Sequence, residues 1–193
     1  LNIRLFFRLL GVFLCLDVLL AGLAAVLLTG ALSLGEQTAL SEKVVRLHVL
    51  ANSDSQEDQA LKLRVRDRVL AETETLLESS TDRNEAERRL TAALPELERL
   101  AAEEITESGY DYTVSVRLEE TAFPTRTYDG FTLPAGEYLA LRVLIGAAEG
   151  QNWWCVVFPP LCAAASEDVA ETALAAGLSE GQVGLITEEN QGY

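Results

Sequence analysis

The hydrophobic positions of this chain change their period several times, and each change marks an element. From Val44 to Leu50 they alternate. Val45, Leu47 and Val49 share one face and Arg46, His48 and Leu50 the other, which predicts a strand. From Leu61 the apolar residues recur at helical spacing through Val65, Val69, Thr73 and Leu76, predicting a helix that runs to about Leu77. Asn52-Ser53-Asp54-Ser55 supplies its start. Ser53 and Gln56 are spaced as a capping box, and Glu57 and Asp58 suit the positive end of the helix dipole. Asp82 with Glu85 repeats the capping signature. Ala86, Leu90, Ala93, Leu94, Leu97, Leu100, Ala101 and Ile105 then carry a second helical stripe that Gly109 stops. Pro95 interrupts that stripe, so residues 83–107 are expected as two short helices or one bent helix.

The second half reads as strands. Tyr112, Val114, Val116 and Leu118 alternate with Asp111, Thr113, Ser115 and Arg117, the pattern of an antiparallel strand wet on one side. Phe123 to Tyr128 predicts a short strand, with turns at Asp129-Gly130 and Leu133-Pro134-Ala135-Gly136. Glu137 to Ile145 alternates again, and Gly146 to Gly150 turns the chain into Gln151-Asn-Trp-Trp-Cys-Val-Val-Phe-Pro-Pro-Leu-Cys162. Residues 137–145 and 152–158 are expected to pair as a β-hairpin. The Trp-Trp strand is apolar on both faces and is expected to be central in the sheet. Pro159-Pro160 ends it, since neither proline can donate to a ladder. Ser166 caps an expected Ala-rich helix over residues 167–176, closed by Gly177. The polar stretch from Glu180 to Tyr193 is expected to be poorly ordered.

At the N-terminus the periodicity vanishes into an unbroken apolar run, Leu9 to Leu28, preceded by Arg4 and Arg8 and interrupted only by Asp17. About 20 helical residues span roughly 30 Å, the thickness of a bilayer core. Arginines ahead of the run place the N-terminus in the cytoplasm and the body outside. A retained transmembrane helix is expected, with a cleaved signal peptide ending at the small residues Thr29-Gly30-Ala31 as the rival. The expected organisation is therefore 1–31 membrane anchor or signal peptide, 32–42 linker, 43–163 folded domain, and 164–193 C-terminal helix and flexible tail. The fold class is α+β: one domain with a mixed or antiparallel sheet of four to five strands on two to three helices.

Charge narrows the function. Fifteen Lys and Arg stand against thirty Asp and Glu, a net charge of −15, which argues against a nucleic-acid partner. Lys62, Arg64, Arg66 and Arg68 form a basic cluster on the first helix, with Asp58, Asp67 and Glu72 near enough to pair with them.

Catalytic chemistry finds little support. The chain has one His and lacks His-Glu-x-x-His, Cys-x-x-Cys, Gly-x-Ser-x-Gly and any glycine-rich phosphate loop. No cofactor, metal, catalytic residue or small-molecule substrate is expected. His48 with Cys155 is the one Cys/His nucleophile pair on offer, and the alternation of β positions leaves its separation open. Cys155 and Cys162 are a candidate disulfide if the Pro-Pro turn folds the chain back; an extended segment would hold them too far apart.

Five stretches taken together resemble a known family. They are Arg46-Leu-His-Val-Leu-Ala-Asn-Ser-Asp-Ser, the following Glu-Asp-Gln-Ala-Leu-Lys-Leu-Arg-Val-Arg-Asp, Phe123-Pro-Thr-Arg-Thr-Tyr, Leu133-Pro-Ala-Gly-Glu-Tyr, and the Trp-Trp stretch. In this order they resemble the stage II sporulation protein R family over about residues 42–163. The resemblance implies a protein of endospore-forming bacteria, made in the forespore and exported between the two sporulation membranes. There it would activate a membrane-embedded aspartic-type protease of the mother cell, leading to processing of the sigma-E precursor. It implies intercellular signalling by docking and not an enzyme. The partner-binding candidates are the polar and aromatic residues of the matching stretches, expected on the surface: Arg46, His48, Asn52, Asp54, Asp58, Lys62, Arg126 and Trp153. The alternative is a secreted hydrolase acting on the cell wall or on a partner protein.

Overall fold

The computed structural model describes residues 19–28, 35, 37–128, 130–162 and 169–188. The chain divides into two units, Leu1–Thr38 and Ala39–Tyr193. In the first, residues 19–28 are helical. Among the described residues no helix is long and apolar enough to cross a membrane. The first half of the expected transmembrane run, including Asp17, lies outside the described residues, as do Arg4, Arg8 and the expected cleavage site.

The second unit is α+β. Its strands are β1 (Val45–Leu50), β2 (Val114–Phe123), β3 (Arg126–Tyr128), β4 (Phe131–Leu133), β5 (Gly136–Ile145) and β6 (Asn152–Phe158). Its helices are α1 (Gln56–Leu77), α2 (Arg83–Glu107), α3 (Val169–Ala175) and α4 (Glu180–Glu188). Four strands form one mixed sheet in the order β2-β5-β1-β6, and β3 and β4 form a separate two-stranded sheet. Within the larger sheet β1 runs parallel to β5 and antiparallel to β6, while β2 is antiparallel to β5.

This order corrects the expected hairpin. β5 and β6 are consecutive and antiparallel, yet β1 lies between them, bonded to both. The loop from Gly146 to Gln151 crosses the end of β1 instead of making a tight turn. Its backbone ties down there, Glu149 N to Asn52 O at 3.2 Å and Gly150 N to Ala51 O at 2.9 Å. β6 is consequently an edge strand, where a central one was expected. The physical reason is that apolar residues on both faces report layers above and below a sheet. They say nothing about neighbours in its plane.

Both layers exist. On one face α1 and α2 pack against Val45, Leu47, Val49, Leu141, Val143 and Cys155 through Leu61, Val65, Val69, Leu90, Leu97 and Ile105. Each fully buried Leu, Ile or Val contributes about 1.5–3 kcal/mol relative to exposure. On the other face lie Phe123, Phe131, Leu133, Tyr138, Val156 and the apolar residues of α3 and α4. The short β3–β4 strands are part of that second layer.

Local chemistry explains the helix ends. Ser55, not Ser53, caps α1, its hydroxyl accepting from Asp58 N at 3.1 Å. Asp82 caps α2 by accepting from Glu85 N at 2.9 Å. α2 runs unbroken through Pro95, so the option of two helices falls away. Gly109 takes a φ of 85° after its end, the left-handed conformation that favours glycine. The tail departs from expectation: residues 180–188 form a helix whose Val183 and Ile186 are buried. Ser166 and Glu167, expected to start a helix, lie outside the described residues, as do residues 189–193.

Candidate functional site

The residues singled out by the sequence lie along β1 and beyond its end, and four of the eight are buried. Arg46, His48, Asp58 and Lys62 are buried, against the expectation of surface residues. Asn52 is half-buried, while Asp54, Arg126 and Trp153 are exposed. Strand parity and helix packing decide this. Even positions of β1 point into the second layer, and Asp58 and Lys62 flank the buried stripe of α1.

Asp58 anchors the turn between β1 and α1. Its Oδ2 accepts from Asn52 Nδ2 at 2.8 Å and from Ser53 Oγ at 2.6 Å. Burial works to raise its carboxyl, but hydrogen bonds from Ser53, Asn52 and Tyr112 outweigh that and hold it below the usual range. The same turn grips the crossing loop. Asn52 Oδ1 accepts from Ala147 N at 3.0 Å, and Asp54 Oδ1 from Gln151 N at 2.8 Å. Lys62 Nζ donates to Gln59 Oε1 at 2.6 Å and to Gln151 O at 3.0 Å. Burial lowers the Lys62 ammonium, and Arg66 adds to the effect. Asn52, Asp54, Asp58 and Lys62 thus hold β1, α1 and the loop before β6 together.

On the opposite face Arg46 enters an aromatic box. It is fully buried, with its guanidinium carbon 4.0 Å from the Phe123 ring centre, 5.0 Å from Tyr138 and 5.9 Å from Tyr128. One nitrogen donates to the Tyr128 hydroxyl, while Nε and Nη1 have no partner. No carboxylate pairs with it among the described residues. Burial lowers its basicity and pushes the Tyr138 phenol up to about 12. These aromatics escaped the sequence reading. Their signal was there, in a 123–138 stretch rich in Phe and Tyr, but the chain folds back there through β3 and β4 and breaks every simple period.

His48 lies beside this box. Its Nε2 is 2.5 Å from Asn152 Oδ1, and its ring is 5.7 Å from those of Phe123 and Trp154. Burial lowers its pKa, and the nearby Arg142 and Arg46 lower it further. Cys155 lies across the sheet. It pairs with Leu47, packs under α1 and α2, and faces away from His48, which pairs with Trp154. The two do not form a catalytic pair. Cys155 is instead joined to Cys162, their α-carbons 5.5 Å apart after the Pro159-Pro160 turn folds the chain back. Among the described residues no cluster of three or more His, Cys, Asp or Glu could hold a metal ion.

The exposed part of this end is built around the two tryptophans. Trp153 lies under the Arg66 guanidinium at 4.1 Å, and Trp154 under that of Arg126 at 4.2 Å. Arg66 is also ion-paired to Asp67 at 2.6 Å. Arg126, Thr127, Tyr128, Asn152, Trp153 and Trp154 surround a shallow cleft of about 230 Å³.

Residues 41–168 match a family model described as stage II sporulation protein R. A curated protein of Bacillus subtilis (strain 168), "Stage II sporulation protein R", is 40% identical over 151 residues. The match covers 78% of this chain and 67% of that protein. No solved structure matches. Every residue named around β1, α1 and β6 falls inside the matched region.

Proposed function

Because this chain belongs to the stage II sporulation protein R family, we propose that it works in sporulation as an exported signal. It docks on a membrane-embedded aspartic-type protease of the mother cell and brings about processing of the sigma-E precursor. Its place of action is the space between the forespore and mother-cell membranes. The observation that carries this reading is the family match across the folded body. The geometry at the end of β1 supports it. The polar residues there are spent on holding the fold, and what faces solvent is a tryptophan–arginine surface suited to binding.

Activation by docking has a thermodynamic requirement. The signal must bind the active form of the protease more tightly than the inactive form, since equal affinity shifts nothing. The competing reading, a secreted hydrolase, needs a nucleophile and a base in one place. His48 and Cys155, the pair it relied on, face opposite sides of the sheet.

Sporulating cells lacking this chain supply the test. Maturation of the sigma-E precursor should stop and should return when the full chain is supplied with its N-terminal segment. Maturation that continues without the chain would overturn the reading. So would cleavage of a peptide or glycan by the purified protein unaided. His48→Ala and Cys155→Ser separate the two classes further: a signal keeps working in any such variant that still folds.

A further inference from the structure

The four-stranded sheet has two edges, and among the described residues only one is guarded. At the β2 edge the backbone N–H of Val116 is taken by the Glu98 carboxylate of α2 at 2.9 Å. Arg83 and Glu120 add an ion pair at 2.8 Å there. Charges and captured backbone groups are how proteins prevent strands from adding to an edge. The β6 edge is treated differently. Among the described residues no backbone hydrogen bond outside the sheet ladder involves residues 152–158. Asn152 and Trp153 are exposed and Trp154 half-buried, so the first part of this edge is open to solvent. The surface beside it is cationic and aromatic, on a chain whose net charge is −15. Arg126 makes no ion pair among the described residues, and its guanidinium carbon is 4.2 Å from the Trp154 ring centre.

We propose that the β6 edge at Asn152–Trp154, with Arg126 beside it, receives an extended acidic segment of a partner protein that pairs backbone to backbone with the strand. An added strand sends alternate side chains to opposite faces. Trp153 and Trp154 themselves face opposite ways, each under an arginine. A carboxylate on one face therefore meets Arg126, and one on the other meets Arg66, already shared with Asp67. Two copies pairing through this same edge would bring their Arg126 and Arg66 side chains together as like charges, which argues against a symmetric second copy as the occupant. The inference rests on the reading that this protein acts by docking, and it names where.

Both tryptophans of the chain sit in this surface, so intrinsic fluorescence reports on it directly. The probe is a synthetic peptide of repeated Glu-Glu-Val-Val, which carries carboxylates on both faces of a strand, added to the purified full chain. A saturable fluorescence change is expected, with affinity falling about tenfold or more in Arg126→Glu. The matching Lys-Lys-Val-Val peptide should do the reverse, binding Arg126→Glu better than the original chain, which also shows that the variant is folded. Backbone N-methylation of the Glu-Glu-Val-Val peptide should abolish binding. Glu-Glu-Val-Val binding that ignores either the charge reversal or the N-methylation overturns the proposal, as does no binding at millimolar peptide. A chain that dimerises with concentration and becomes monomeric in Arg126→Glu would place a second copy on the edge and equally overturn it.

In cells the two levels separate. If deletion of the chain blocks precursor maturation while Arg126→Glu combined with Trp153→Ala signals fully, this surface is wrong and the signalling reading survives. If deletion leaves maturation intact, the signalling reading fails, and the peptide experiment alone decides the surface.

Discussion

Asn52 donates a hydrogen bond from Nδ2 to the buried Asp58 carboxylate at 2.8 Å. With its other amide atom it accepts from Ala147 N at 3.0 Å. One side chain therefore joins the end of β1, the first turn of α1 and the loop that leads to β6. The orientation of the exposed Trp-Arg surface depends on that joint, because β6 starts where the loop is held.

Asp58→Ala is expected to destabilise the body by about 2–4 kcal/mol, since the donors of Asn52 and Ser53 lose their acceptor in a buried site. Urea midpoints for the two proteins check this. The Asp58 carboxyl is held below its unfolded value in the native state, so its contribution is fully present above the unfolded pKa near 4 and drains away as pH falls through the lowered one. The difference between the native protein and Asp58→Ala should thus be constant from pH 7 to about 5 and shrink below pH 4. A difference that grows on acidification would contradict the assignment.

Gly146 has a φ of +57°, and a β-carbon placed on it would lie 2.2 Å from Asn52 Oδ1. Gly146→Ala therefore combines an unfavourable backbone with loss of the Asn52 joint, and a cost above about 1 kcal/mol is expected. Trp fluorescence should shift as well, because the loop leads into Trp153. If Gly146→Ala is as stable as the native protein, the loop does not need the close approach seen here.

Arg46 fills its aromatic box with two nitrogens unsatisfied. Replacement by Met keeps much of the volume and removes the buried charge, so Arg46→Met should match or exceed the native thermal midpoint. Arg46→Ala should lose about 2–5 kcal/mol through the cavity it opens. Equal damage from both replacements would show that the charge itself, through its stacking on Phe123 and Tyr138, holds the second layer in place.

The Cys155–Cys162 bridge closes a short loop at the end of β6. Loss of a loop this short is expected to cost about 2–3 kcal/mol. Chemical unfolding with and without a reductant measures it. A double Cys155→Ser, Cys162→Ser variant should be insensitive to the reductant. A native protein equally insensitive would mean that the bridge contributes nothing.

The alternation of Val45, Leu47 and Val49, the four-residue spacing from Leu61 to Thr73 and the caps at Asp82 and Gly109 were legible in the sequence, because local periodicity and capping chemistry are written in neighbouring residues. So were the stretches that identify the family. The aromatic surroundings of Arg46 were not, since Phe123, Tyr128 and Tyr138 reach it from three separate strands.

By itself, then, the sequence determined where the two long helices and every strand but β4 lie, to within a few residues, and the family. Only the tertiary structure decided that β1 threads between β5 and β6, that Asp58 and Lys62 turn inward, and that β6 is an open edge. Side-chain patterns encode burial above and below a strand. Neighbours in the plane of the sheet are set by backbone hydrogen bonds between segments far apart in the chain, and every residue but proline offers those alike.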